Sequence, residues 1–521
     1  MSPAPRSQRA CDSCRIRKVK CDNGQPCTQC SHFKLPCVVS SGPSKRQNPI
    51  RGRLVARARG ENDLGNLETG PGRPASAPIP APSGDSPRNH RPDTLFESLL
   101  TPTGYTTEFF MDLIPSFEQL VYPVNPVITP DDIAVAIGNI RGSFEDAALV
   151  YAFAAVTTFL TQRSATMHGA VATQMDDLMQ HSLAAHKRVD LQTAPDGRMV
   201  EEPPINAKRV MTCIFLEISM MAFKRFDRSF ALLREAITML QTVKVHQLSG
   251  TGSGDATYQR LYWETYIHER FLTIASGYPS VLPPLKAGFP APDSTVPAYV
   301  ELGFNRLISL FLIMDRPLLA YWEEQQGIEP STSDITPEWV EQKQIQLDQD
   351  EASTYEADKA LRESGRGALT EFQLVDLYIT RVWLRTLVWQ LALSRGLLQS
   401  APPETVHEGL SLNYPAHRLS TELRSLVNRM ESVGSIATQG SGIIQKLFEI
   451  TSTIADVLAL PLAADMERQE EAAGHVADLV FLVKFLFQFE RIREQQKAYL
   501  QEKLDMLQKL YPAGLNSHDL S

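Results

Sequence analysis

Cys11, Cys14, Cys21, Cys27, Cys30 and Cys37 account for six of the seven cysteines in the chain, and they fall within one short stretch. CDSCRIRKVKC (11–21) and CTQCSHFKLPC (27–37) share the pattern C-x2-C-x6-C, offset by 16 residues. In each half two thiols fit the first turn of a short helix, and the third falls just beyond its end. Tetrahedral zinc takes four ligands. Six thiolates leave two over for one ion but serve two ions well if two of them bridge, because two tetrahedra need eight contacts. The pseudo-symmetric bridges are one cysteine per half, with Cys11 and Cys27 the natural pair. The competing chemistry is three disulfides, which needs an oxidising compartment. The N-terminal MSPAPRSQRA has no apolar signal segment, which favours the metal.

With the basic run Arg15-Ile16-Arg17-Lys18-Val19-Lys20 and Pro26 just before Cys27, this stretch resembles the fungal Zn2Cys6 binuclear-cluster transcription factors. Every cysteine spacing lies within that family's pattern. The resemblance implies two Zn2+ per chain, bridging by Cys11 and Cys27, double-stranded DNA as partner, CGG-like triplets as its target and the nucleus as its compartment.

The two halves differ in charge. Arg15, Arg17, Lys18 and Lys20 lie between the second and third cysteines of the first half, whereas the second half has only Lys34 in that window, beside Phe33, Leu35 and Pro36. The first half is therefore expected to face DNA and the second to support it. Asp12-Ser13 is suited to cap the short helix, whose far end delivers Arg17 and Lys18 outward into a major groove. The resemblance makes Lys18, with Arg17 beside it, the base reader at guanine O6 and N7. Arg15 and Lys20 are expected on phosphates, which position the module without reading sequence.

Behind this head the composition changes. Residues 1–60 carry 13 Lys/Arg against 2 Asp/Glu, a net of +11; the other 461 carry 38 against 58, a net of −20. A basic head on an acidic body points to a polyanion-binding module fused to a body that avoids nucleic acid. The expected domains are 1–40 (cluster 11–37), a linker over 41–93 and a regulatory body over 94–521. The linker opens with Lys45, Arg46, Arg51 and Arg53, candidate phosphate contacts or nuclear-import signals, and turns Pro/Gly/Ser-rich from Gly70 to Pro92, a composition that cannot fold alone. No sustained heptad pattern follows the cluster. A single small module buries only about 600–1,000 Å² on DNA, so tight binding calls for a second module through a homodimer. The longest apolar stretch is read as Leu479 to Phe489, too short for a membrane span.

From about Thr94 the pattern is helical and few segments alternate with period two, so the body is expected to be all-α. Helices are expected after Thr129-Pro130, from Ser143 through Leu160, over 206–223 and 226–248 as an antiparallel pair, and over 257–276, 297–323, 369–398, 415–432, 440–459 and 475–510. Phe230 to Leu240, with its Leu233-Arg234-Glu235-Ala236-Ile237 core, Arg260 to Arg270, with Trp263 and Glu269-Arg270, and Tyr278-Pro279 resemble the family's middle homology region, most closely in regulators of maltose and starch utilisation.

Enzyme signatures fail. Gly250-Thr251-Gly252-Ser253-Gly254 follows a helix, lacks the Lys-Ser/Thr of a phosphate loop and is expected to be a flexible loop. His268-Glu269 lacks a second zinc-protease histidine, and Cys213 lies among Met211, Ile214, Phe215 and Leu216, as a core residue would. Trp383, Leu387 and Trp389 form an apolar stripe, core by default and otherwise the lining of an effector pocket. The expected function is a pathway-specific regulator acting on the transcription machinery, an activator of a specialised-metabolite gene cluster; the alternatives are carbohydrate-catabolism genes, repression, a zinc module that binds protein or RNA, and an enzyme with a regulatory head.

Overall fold

The computed structural model describes residues 21–22, 24–27, 31 and 37 of the head and, in the body, 104–161, 169–191, 204–245, 253–325, 335–400, 402–430, 440–460, 466–489 and 492–511. The chain divides into two units, Met1–Phe96 and Glu97–Ser521. Among the described residues the body is helical, with no strand and one isolated bridge between Gln399 and Ser411.

Its helices are α1 (Thr107–Met111), α2 (Ile114–Leu120), α3 (Pro130–Asn139), α4 (Phe144–Thr161), α5 (Ala170–Val189), α6 (Ala207–Ala222), α7 (Phe226–Val243), α8 (Ser253–Ser276), α9 (Ala298–Leu312), α10 (Arg316–Gln325), α11 (Pro337–Glu363), α12 (Glu371–Arg395), α13 (Ser420–Arg429), α14 (Gly440–Leu458), α15 (Met466–Phe487) and α16 (Glu494–Leu510). Local sequence explains several starts. Thr129 and Asp132 form a reciprocal capping box with Pro130 in the first turn of α3. Thr370 and Gln373 do the same for α12, which ends on Gly396 at φ 70°. Asn206 caps α6 by accepting from the Arg209 N–H.

The body has two packed groups. In the first, α4 packs against α5 and α6, and α6 pairs with α7. Helix α4 is long and apolar enough to cross a membrane by length and composition, but 83% of it is buried inside the body, as befits a helix apolar on every side. It also corrects the sequence reading: the charge-free run from Ala147 to Thr161 is longer than Leu479 to Phe489. In the second group, α12 packs on α11 and α14, α11 on α9, and α15 on α13 and α14. Helix α8 touches α6 and α7 on one side and α9 and α10 on the other.

Four expectations change. The single helix expected over 475–510 is two, α15 and α16: the chain turns with Phe489 and Ile492 buried, and Gln496 folds back to accept the Arg493 N–H at 3.0 Å, starting a new helix. Helix α16 then buries Leu500, Leu504 and Leu507 within its own unit. The helix expected over 297–323 breaks at Ile313–Asp315, where Asp315 accepts from the Leu318 N–H just past Pro317, a residue with no N–H for a continuing helix. Helix α8 starts at Ser253, inside the glycine-rich segment expected to be a loop, and Gly250–Gly252 lies outside the described residues. Helices α1, α2, α5 and α11 fall outside the expected spans.

Candidate metal centre and nucleic-acid interface

Within the head, the loop from Gly24 to Cys27 brings the second half of the cysteine pattern onto the first. A Cβ at Gly24 would sit 3.2 Å from the Pro26 carbonyl oxygen and 3.4 Å from Cys27 Cα, tighter than most side chains pack. Glycine lets this turn close over Cys27, which is fully buried; the Gln25-Pro26 bond is cis. The Ser31 N–H donates to the Cys27 carbonyl at 2.9 Å, the i to i+4 bond of a helical turn that opens at Cys27.

The sulfurs converge there. The Cys27 N–H donates to Cys37 Sγ at 3.2 Å, and Cys37 Sγ lies 3.7 Å from the Gly24 carbonyl oxygen. Cys21 Sγ, Cys27 Sγ and a carboxylate oxygen of Asp22 lie within 4.8 Å of one another. Two sulfurs bound to one tetrahedral ion at about 2.3 Å stand roughly 3.8 Å apart, so Cys21 and Cys27 suit a shared zinc. Cys21, Cys27 and Cys37 carry thiols rather than disulfides. A backbone N–H on a ligand sulfur is the kind of outer contact that orients a thiolate and tunes its charge. Zinc, when bound, supplies the cross-link that a segment of this size cannot obtain from a hydrophobic core. Sequence reading did not single out Asp22, an exposed acid beside Cys21.

Cys11, Cys14 and Cys30, the cations Arg15, Arg17, Lys18 and Lys20, the linker over 41–93 and its Lys45, Arg46, Arg51 and Arg53 lie outside the described residues.

The body motifs, by contrast, are fully visible, and they meet at one place. The segment from Gly277 to Pro297 has no regular secondary structure; most of its residues are exposed, and Leu282, Leu285, Pro290 and Val296 are buried. Its backbone groups need partners, and the residues along one face of α8 supply them. Gln259 accepts from the Ala291 N–H at 2.8 Å, Tyr262 donates to the Pro283 carbonyl at 2.7 Å, and Trp263 Nε1 donates to the Gly288 carbonyl at 2.9 Å. One turn further on, the buried Glu269 carboxylate accepts from the Val281 N–H at 2.7 Å and the Leu282 N–H at 2.9 Å. Arg270 donates to the Leu282 carbonyl at 2.6 Å, and its guanidinium lies 4.2 Å from the centre of the Tyr266 ring. Arg260 pairs with Asp293 at 2.9 Å.

Helix α7 completes the clamp. Arg234 reaches Glu269 at 3.3 Å and also donates to the Pro279 carbonyl, while its guanidinium stacks on Phe230. The Phe230 and Tyr278 rings stack with centroids 3.7 Å apart and 6° between planes, and Tyr278 donates to Asp227 at 2.7 Å. The three middle-region motifs are thus one device that pins a loop to two helices. On the other side of α8, His268 is held by Glu217 of α6 at 2.8 Å and Glu264 at 3.1 Å. Burial alone would lower the His268 pKa, but the Glu217 and Glu264 carboxylates outweigh it and push it up to about 10. Burial raises Glu264 in the same triad.

The apolar stripe of α12 is core. Trp383, Leu387 and Trp389 are at most 1% exposed, Trp383 Nε1 donates to Glu449 at 2.8 Å and Trp389 Nε1 to the Ser411 carbonyl at 2.9 Å. Beside them Lys446 is enclosed by the Phe271, Phe311 and Trp383 rings and donates to Thr380 at 2.7 Å. Burial pulls its pKa down, opposed by Asp376. Cys213 is fully buried, and burial pushes its thiol well above its ordinary range, an inert core position for a nucleophile.

Residues 9–47 match the family model described as the fungal Zn(2)-Cys(6) binuclear cluster domain. Residues 9–47 are thus a Zn2Cys6 cluster domain, a zinc-binding and DNA-binding class, and the chain is similar to fungal transcription regulators that carry it. It is 20% identical over 390 residues to the maltose fermentation regulatory protein MAL13 of Saccharomyces cerevisiae, covering 74% of this chain and 72% of that protein. It is 21% identical over 472 residues to the probable sucrose utilization protein SUC1 of Candida albicans, covering 87% and 79%. A shorter likeness, 38% over 58 residues, covers 11% of this chain and 10% of the transcription factor kojR of Aspergillus flavus. No solved structure matches the chain.

Proposed function

We propose that the chain is a pathway-specific activator that reads CGG-like triplets in double-stranded DNA through its head. The cluster holds two Zn2+ on Cys11, Cys14, Cys21, Cys27, Cys30 and Cys37, with Cys11 and Cys27 bridging. The metal holds the first short helix in place; Lys18 and Arg17 read base edges, and Arg15 and Lys20 grip phosphates. Lys45, Arg46, Arg51 and Arg53 add non-specific phosphate contacts. The protein acts in the nucleus, with domains at 1–40, 41–93 and 94–521, and binds paired sites as a homodimer while the body signals to the transcription machinery. The observation that carries this reading is the cluster-domain match over 9–47, which spans all six thiols and all four head cations.

The gene set is read from the body. The relatives that span most of the chain carry names in maltose fermentation and sucrose utilization, and this favours carbohydrate-utilisation genes over the specialised-metabolite cluster expected from the family at large. A gel shift of the full chain with Lys18→Ala, on CGG-containing and scrambled duplexes, tests the reading. Loss of the preference for CGG supports it; an unchanged preference refutes base reading by this helix. Genome-wide occupancy and transcript levels after deletion then give the gene set and the sign: falling transcripts at bound sugar genes support activation, and rising ones overturn it.

A further inference from the structure

His186 on α5, Cys213 on α6 and Glu235 on α7 converge from three different helices, far from the cysteine-rich head in sequence. We propose that these three residues form a second metal site, in the body, for a divalent ion of zinc type.

The donor atoms lie within 4.8 Å of one another. His186 Nε2 stands 3.7 Å from Cys213 Sγ and 2.7 Å from Glu235 Oε1. A tetrahedral ion with bonds of about 2.0–2.3 Å separates its donors by roughly 3.3–3.8 Å. The nitrogen–sulfur distance already fits, and the nitrogen–oxygen distance has to open by about half an ångström. Glu235 can make that movement because its side chain is 43% exposed, while His186 is 6% exposed and Cys213 fully buried. Two fixed inner ligands and one movable outer ligand leave a fourth position toward solvent, for water or an incoming group. Nothing else fixes the His186 ring by hydrogen bonding: Nδ1 is buried without a partner among the described residues. The ring is therefore able to carry its proton on Nδ1 and present Nε2 to an ion. Inward-facing ligands from neighbouring helices are how helical bundles build metal sites; the incoming ion displaces the proton that the buried Cys213 thiol otherwise keeps, and one imidazole, one thiolate and one carboxylate suit zinc better than calcium or magnesium. Bound there, the ion ties α5, α6 and α7 together, and Glu235 sits next to Arg234 of the loop clamp.

The full chain, loaded with zinc, is compared by native mass spectrometry with Cys213→Ser and Glu235→Gln. The unaltered chain is expected to hold one zinc more than either variant, whatever number the head retains. Cadmium NMR supplies the second readout: one resonance apart from those of the thiolate-only cluster, absent from both variants. Equal ion counts in all three chains, with no such resonance, overturn the site and leave a buried hydrogen-bonded triad. Should Cys213→Ser fail to fold, Glu235→Gln carries the comparison, because the half-exposed Glu235 tolerates the change, and an unchanged helical signal and melting temperature of the body confirm that this variant is intact.

Discussion

Head and body are stabilised by different physics. The head places six cysteines in 27 residues and has Cys27 as its described buried hydrophobic residue; its order comes from ligand bonds. The body buries whole helices such as α4 and fills the remaining space with paired charges: Arg260 with Asp293, Arg381 with Asp350, and Lys503 with Asp456, all nearly inaccessible. A metal-held module depends on one kind of bond and fails when that bond is removed. A packed body distributes its stability, and the cost of any one change depends on what is left unpaired.

The largest effect that breaks this contrast is at Cys27. Cys27→Ser is expected to lose both zinc ions and to lower DNA affinity by three orders of magnitude or more, since zinc contributes on the order of 10 kcal/mol to such modules. The helical signal and melting temperature of the body are expected to stay unchanged, as circular dichroism would register. Next is Glu269→Ala, which strips the Val281 and Leu282 N–H groups and two arginines of their acceptor. It is expected to cost the body about 3–5 kcal/mol and to open the 278–293 loop to proteolysis, with zinc content unaltered.

His268 gives the body a pH signature. Its folded pKa, about 10, lies above the ordinary histidine value. The folded state therefore holds a proton that the unfolded chain releases. The associated stability is complete below about pH 6.5 and is lost as pH rises through about 10, on the order of 5 kcal/mol over that window. Denaturant melts at pH 7 and pH 9.5 should show this fall in the unaltered chain and a flatter one in His268→Gln; equal slopes would sink the assignment. Lys18→Ala is expected to cost about 1–3 kcal/mol in affinity for CGG-containing DNA with no change in body stability. The smallest effect is at Lys45: Lys45→Ala should weaken all duplexes alike and reduce the slope of log affinity against log salt by about one.

The two regions were also unequally legible in sequence. The cysteine pattern is local, so its chemistry could be read from spacing alone; among the described residues Cys21 and Cys27 lie close together and the Cys27 N–H donates to Cys37 Sγ. Helix α3 announced itself through its Thr129-Pro130 start, and α12 through apolar helical spacing. Helix α11 did not, because its inner face is polar: Lys343, Gln344, Asp350, Thr354 and Asp358 are buried, Gln344, Asp350 and Thr354 against Arg385 and Arg381 of α12, and a hydrophobic period cannot reveal a charged core. The middle-region motifs were recognised without a mechanism, because their partners are backbone atoms of a loop 12 to 45 residues away. The convergence of His186, Cys213 and Glu235 was invisible for the same reason, each residue coming from a separate helix. The split of 475–510 was missed because Phe489 and Ile492 keep the apolar pattern running through the corner.

The central claim, a zinc-held head that reads DNA independently of the packing of the body, is tested most directly by a gel-shift titration. The full chain is titrated onto CGG-containing and scrambled duplexes, before and after chelation and again after zinc is restored. The expected result is selective binding that disappears with chelation and returns with zinc, while the helical signal of the body persists throughout. Selective binding that survives complete removal of zinc would contradict it.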